Sequence, residues 1–182
     1  MKYARGDKVE EFETTDAKGI SLRVPDAAHP FTHLMFRRWA GCPICNTHLA
    51  GYARGRERLA RAGIWTVVVF ASTAEEILAG DHGALPFHFV PDPQERYYRS
   101  FGVGASPWAN LHWATFAPAL SGWLSGRASL RQVRRFDGLP ADLMVRSDGF
   151  VVDAYYGDHA NDQWTVEETV ATAEGLGGRS AA

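Results

Sequence analysis

Apolar positions in this chain recur with two periods, and they divide it into strands and helices. Phe31 to Arg37 and Trp65 to Phe70 are nearly unbroken apolar runs, the second rich in β-branched residues. Such runs predict strands covered on both faces. Between them Cys45, Leu49, Tyr52 and Leu59 fall four, three and seven residues apart, which places them on one face of a helix from Pro43 to about Ala62, stopped by Gly63. Arg54, Arg56, Arg58 and Arg61 lie mostly off that face and read as a solvated surface.

Further along, Ser72-Thr73-Ala74-Glu75-Glu76 has the spacing of a capped helix start, and that helix is expected to end near Gly80. Pro86 to Val90 predicts a third strand, and Gln94 to Phe101 a short helix closed by Gly102. Leu139 to Val145 runs into a strand, Ser147-Asp148-Gly149 supplies a hairpin turn, and Phe150 to Tyr156 returns. Thr165-Val166-Glu167-Glu168 repeats the capping spacing and opens a last helix to about Leu176. Ahead of all this, Val9–Phe12 and Ile20–Val24 predict a hairpin around Asp16-Ala17-Lys18-Gly19.

Strands alternating with helices imply parallel pairing with helices on both faces, and the late hairpin adds antiparallel strands. The expected class is α/β with a central mixed sheet. Residues 1–176 read as one domain, and 177–182 as a disordered tail. Residues 103–136 interrupt the pattern: Pro107, Trp108, Trp113, Phe116, Pro118 and Trp123 crowd together and Arg127, Arg131, Arg134 and Arg135 follow. This insertion reads as a lid, a homodimer face, a docking surface for a reductase, or an aromatic cover over the core with a basic rim.

The 182 residues are 46% hydrophobic and 22% charged with a net charge of -2, a globular balance with no pull toward nucleic acid or anionic membrane. No apolar run approaches the length of a membrane span, and the first residues lack the apolar core of a signal peptide. The expected location is the cytoplasm, where thiols stay reduced and a CxxC is more often catalytic than structural.

The chemistry is concentrated in Arg38-Trp39-Ala40-Gly41-Cys42-Pro43-Ile44-Cys45, which holds both cysteines of the chain. Pro43 suits the first position of a helix, so Cys42 stands at its start, facing unpaired amides and the positive end of the helix dipole. Both favour the thiolate, which is the nucleophile. Cys45, one turn on, is within reach of Cys42, and an exposed attacking sulfur with a second below it is what thiol–disulfide exchange needs. Two competing readings are cysteines that pack as small hydrophobes and half of a zinc site; the second lacks ligands, since there is no other CxxC. His48 reads as a helix-surface histidine and His33 as a satisfied core or edge histidine. Asp158 and His159 read as a turn with a capping Asp, or as accessory residues.

With a strand leading into Arg38 to Cys45, Leu139-Pro140-Ala141-Asp142 ahead of a hairpin, Tyr156-Gly157-Asp158-His159-Ala160 and Thr165-Val166-Glu167-Glu168, the sequence resembles the thioredoxin superfamily, and within it the peroxiredoxin-like alkyl hydroperoxide reductase/thiol-specific antioxidant (AhpC/TSA) family. The resemblance spans nearly the whole chain. It implies a thioredoxin-like fold, a cis peptide bond before Pro140 packed against the cysteines, and an arginine beside the thiolate: Arg38, with Arg127 and Arg146 as other candidates. It also implies a thioredoxin- or glutathione-type reductant and no metal or organic cofactor. Typical members carry Thr or Ser three residues before the peroxide-attacking cysteine, where this chain has Trp39. That leaves a sulfur-to-sulfur reaction open, since such a reaction needs no hydroxyl there.

The expected function is a thiol oxidoreductase with Cys42 as nucleophile, Cys45 as resolving residue, and Arg38, Trp39 and Pro140 around them, acting on a peroxide or a disulfide. The alternatives are a redox-sensing or partner-binding module without turnover, and a metal-binding protein using Cys42, Cys45 and a histidine such as His159.

Overall fold

A computed structural model describes residues 1–109 and 137–175, together with 115, 117, 120, 121 and 124. Most of the aromatic and basic insertion and the expected tail lie outside the described residues, as does Arg127.

Five strands form the main sheet: β3 (Phe31–Arg37), β4 (Ile64–Phe70), β5 (His88–Pro91), β6 (Ala141–Arg146) and β7 (Val151–Tyr156), in the order β5-β4-β3-β6-β7. β3, β4 and β5 run parallel, while β6 pairs antiparallel with β3 and β7 with β6. This is the mixed α/β sheet the pattern predicts, and the thioredoxin-like arrangement the resemblance implies. β3 and β4 are buried along almost their whole length, as their unbroken apolar runs require.

The helices lie over two apolar layers, one on each face. One layer gathers Met35, Ile44, Cys45, Leu49, Tyr52, Val68, Met144 and Trp164; the other gathers Leu34, Phe36, Val67, Val69, Tyr98, Phe101 and Leu143. Alternation along β3 and β6 sends neighbouring residues to opposite layers.

Several boundaries differ from the expected ones. A separate small hairpin joins β1 (Phe12–Thr15) to β2 (Ser21–Val24), later than the Val9–Phe12 start, because the Asp16 carboxylate accepts the amides of Lys18 and Ile20 and fixes the turn there. The long helix is divided into α1 (Pro43–Arg54) and α2 (Arg56–Arg61) at Gly55. A side chain at Gly55 would meet Val166 Cγ1 at 2.8 Å, so the break is where another helix start packs closely. Gly63 ends α2 with φ +70 beneath Pro30. α3 (Ala74–Leu78) and α5 (Val166–Ala173) begin in the expected capping boxes, at Thr73 with Glu76 and at Thr165 with Glu168. A short 3₁₀ turn covers Asp81–Ala84 and α4 covers Arg96–Ser100. Among the described residues no helix is long and apolar enough to cross a membrane.

Candidate active site

β3 is the central strand, and its carboxyl end delivers the chain into the loop from Arg38 to Gly41 and then into α1. In α/β sheets this end of the parallel strands is where ligand chemistry collects. Cys42 is the N-cap of α1, with Pro43 at the first helical position, as expected. Its sulfur accepts the Cys45 amide at 3.4 Å and Arg38 Nη2 at 3.1 Å. Cys45 follows one helical turn on, and hydrogen bonding between the two side chains raises the Cys42 thiol and lowers that of Cys45.

The expected exposure of Cys42 is corrected. Cys42 is 0% and Cys45 1% exposed, inside the buried apolar cluster that also holds Trp39, Ala40 and Ile44. Burial changes which sulfur holds charge. It pushes the Cys42 thiol well above its ordinary value, reinforced by the neighbouring sulfur. Burial also opposes ionisation of Cys45, but the hydrogen bond from Cys42, the Arg38 charge and the Arg38 backbone amide overcome it and bring Cys45 to about 6. The pair therefore loses its first proton at lower pH than an ordinary thiol and its second at higher pH, the remaining proton being shared between the two sulfurs. The start of α1 supplies the expected amide donor to Cys42, and the cost of burying the anion outweighs it there.

Arg38 is 2% exposed, and its guanidinium carbon lies 4.7 Å from the centre of the Trp39 ring. Arg38 and Trp39 are thus brought to Cys42, as expected, with the tryptophan face beside the cation rather than a hydroxyl beside the sulfur. Arg146 is not brought there. It pairs with Asp148 in the hairpin turn and lies opposite Phe31, at the far end of β3 from the cysteines.

Pro140 is corrected too. Among the described residues the cis peptide bond lies at Val24–Pro25, and Leu139–Pro140 is not cis. Pro140 opens the β6 ladder as an ordinary strand residue: its carbonyl accepts the Gly157 amide at 3.0 Å, the preceding Leu139 amide donates to Gly104, and its ring covers Gly157. Asp158 and His159 form a turn held by the Asp162 carboxylate and by His159 Nδ1, which accepts the Asn161 amide. Among the described residues no three His, Cys, Asp or Glu side chains gather as a metal would require, so His159 does not complete a site with the cysteines.

Beneath the cysteines lies a charged cluster that the sequence reading did not assemble. Arg37, the last residue of β3, donates through Nη2 to Asp142 Oδ1 at 2.6 Å and through Nη1 to Asp142 Oδ2, Phe36 O and Ala141 O. His33 Nε2 donates to the same carboxylate at 2.9 Å, and the Trp164 amide donates to Oδ2 at 3.2 Å. All three side chains are fully buried. Burial opposes the Asp142 charge, but Arg37 and His33 hold the carboxyl well below the usual range, while burial keeps His33 neutral. Residues 33, 35 and 37 share one face of β3, and Asp142 sits opposite Met35 across the ladder. Two titratable residues, His33 and Arg37, on the same face of a mostly apolar strand were the available signal.

His48 is half-buried rather than a surface residue. Its Nε2 donates to Trp164 O at 2.7 Å, its ring packs on Tyr52, and burial lowers it to about 3. It is neutral in the fold, whereas in the unfolded chain it takes a proton below about 6.5. The unfolded state therefore binds more protons between these values, and stability drops as pH is lowered through that window. Melting measured from pH 7 to pH 5 should show a loss of about 1–2 kcal/mol that His48→Gln largely removes; an unchanged slope in that variant would assign the loss to other groups.

The AhpC/TSA family model matches residues 5–153. No curated protein matches the chain. Among solved structures it is similar to the peroxidoxin BcpB from Mycobacterium tuberculosis, at 16% identity and TM-score 0.68, covering 97% of this chain and 99% of that one. Enterococcus faecalis AhpC aligns at 16% identity and TM-score 0.67, covering 97% and 93%. A putative thiol:disulfide interchange protein, DsbE from Chlorobium tepidum, aligns at 18% identity and TM-score 0.58, covering 93% and 96%. At these identities the structural likeness speaks for the fold.

Proposed function

The chain belongs to the AhpC/TSA family, and from that membership we propose that it is a thiol peroxidase in which Cys42 and Cys45 cycle between a dithiol and a disulfide. One observation carries this reading: the Cys42 sulfur caps α1, accepting the Cys45 amide at 3.4 Å and Arg38 Nη2 at 3.1 Å, with Cys45 one helical turn on.

In the attacking form the shared proton resides on Cys45 and the charge on Cys42, stabilised by Arg38 and the Cys45 amide. The Cys42 thiolate attacks one peroxide oxygen and the O–O bond breaks. The departing alkoxide takes the proton from Cys45 and leaves as an alcohol. Cys42 becomes a sulfenic acid, and the new Cys45 thiolate attacks its sulfur, forming the S–S bond and releasing hydroxide. Two electrons have passed from the sulfurs to the peroxide. A thioredoxin- or glutathione-type thiol returns them by exchange. The complete burial of both sulfurs favours a small hydroperoxide as the oxidant.

A second reading, reduction of a disulfide, is favoured by Trp39, which places an aromatic face where a peroxide-binding hydroxyl is expected. Cys42 would then form a mixed disulfide that Cys45 resolves.

Intact mass after stoichiometric hydrogen peroxide tests the proposal. The wild-type chain should lose two hydrogens, and Cys45→Ser should gain one oxygen. Gain of oxygen by Cys42→Ser instead would reverse the two roles. No change in any form, with turnover of a small disulfide, selects the second reading. A single oxidation without repeated turnover under excess reductant would leave a redox-sensing module.

A further inference from the structure

The loop that carries Arg38 and Cys42 is fastened at the peptide groups on either side of Ala40. The Ala40 amide donates to Ser72 Oγ at 3.1 Å. Its carbonyl accepts His82 Nε2 at 2.8 Å and Asn46 Nδ2 at 2.8 Å. The Arg38 carbonyl accepts the Ala71 amide at 3.2 Å. The holders come from three places: the turn after β4, the 3₁₀ turn at Asp81–Ala84, and the first turn of α1. Ser72 is 0% and His82 4% exposed, and the His82 ring is wedged against Phe70 and Phe89 with centroids 5.1 Å away in each case. Ala40 lies midway between Arg38 and Cys42, so these bonds determine how far the guanidinium stands from the sulfur.

We propose that Ser72, His82 and Asn46 are positioning residues that clamp the Ala40 peptide, hold Cys42 against Arg38, and keep the loop closed to reagents larger than a small hydroperoxide. The clamp deepens the peroxidase reading by limiting the size of its substrate, and it rests on that reading only for the consequence in turnover. His82 does most of the fastening. It reaches the loop from outside both α1 and β3, so the loop cannot lift from the sheet without breaking its bond. Ser72 fixes the neighbouring amide but comes from the turn that the loop already follows. Asn46 travels with α1 and cannot by itself hold α1 and the loop against the sheet.

The test compares N-ethylmaleimide with N-pyrenylmaleimide, two neutral reagents with the same chemistry and different girth, on the reduced full chain. The wild-type protein should react much faster with the small reagent. In His82→Leu, which keeps an apolar contact with Phe70 and Phe89 but loses the donor, the rate with the bulky reagent should rise about tenfold, the scale of one lost buried hydrogen bond. The rate with the small reagent should change far less. His82→Gln restores a donor and should return the ratio toward wild type. If His82→Leu does not fold, Ser72→Ala should move the ratio in the same direction by a smaller amount. Equal acceleration of both reagents, or no rescue by glutamine, would overturn the clamp. Because the readout is alkylation and not turnover, it stands apart from whether peroxide is the substrate.

Discussion

Asp142→Asn should lower stability by about 3–5 kcal/mol, a large share of the roughly 5–15 kcal/mol that holds a domain of this size together. The asparagine is nearly isosteric, so no cavity forms and the loss is electrostatic. Arg37 is fully buried, and in the variant its charge would lose its carboxylate partner, while His33 and the Trp164 amide would face a weaker acceptor. Urea unfolding should show a midpoint lower by about 2 M with an unchanged slope. The paired variant Arg37→Met/Asp142→Leu should recover most of the loss, because removing both charges also removes their desolvation cost. The sign with pH follows from the lowered Asp142 value. Its contribution is complete above about pH 4, where the carboxyl of the unfolded chain has ionised, and it is lost as pH falls below that. A wild-type-like midpoint for Asp142→Asn would mean that the cluster does not hold the sheet together, and the account of β3 and β6 given above would fail.

That cluster also shows where reading the sequence stops. Strand alternation, the capping boxes at Thr73 and Thr165, and Pro43 as a helix opener are local features, and each was legible because the physics that causes it acts within a few residues. The Arg37–Asp142 pair joins residues 105 apart in sequence and exists only once β6 lies antiparallel against β3 in one register. An arginine at the end of an apolar run reads as a strand terminus; its partner is set by the pairing. Gly55 follows the same rule: nothing near it in sequence marks a break, and the cause is Val166 on α5. The two corrected site expectations have a different origin. The cis bond before Pro140 was implied by resemblance, and here the Pro140 carbonyl and ring are committed to Gly157 as part of an ordinary strand start. The exposure of Cys42 was inferred from its place at a helix end, which sets the direction of the dipole but not what covers the end. In this fold the helix end is buried in the apolar cluster with Trp39 and Ile44, and the balance between dipole and desolvation shifts the charge toward Cys45.

Arg38→Met should raise the lower ionisation of the cysteine pair from about 6 toward the ordinary thiol value near 8.5 and slow alkylation by N-ethylmaleimide at pH 7 by about tenfold or more. In the native pair burial works against any thiolate, and four influences oppose it: the hydrogen bond from Cys42, the Arg38 charge, the Arg38 backbone amide and the Arg37 charge. Methionine keeps the amide and much of the packing on Trp39 but removes the charge and the donor to Cys42, leaving an anion for which, among the described residues, the remaining cation is Arg37, already committed to Asp142. The sign is unambiguous. Losing a cation raises a thiol's ionisation, so the rate–pH curve should move to higher pH while the plateau at high pH, where the thiolate is complete, stays near its wild-type height. Arg38→Lys should fall between the two, because a lysine supplies charge without the planar fork that donates to sulfur while lying against Trp39. The plateau separates this effect from the His82 clamp: loosening the loop changes access, which differs between small and bulky reagents at every pH, whereas removing Arg38 changes ionisation, which shifts both curves together along the pH axis. If Arg38→Met leaves the inflection near 6, the charge on the sulfurs is held by the helix start and the shared proton alone, and the arginine serves packing against Trp39.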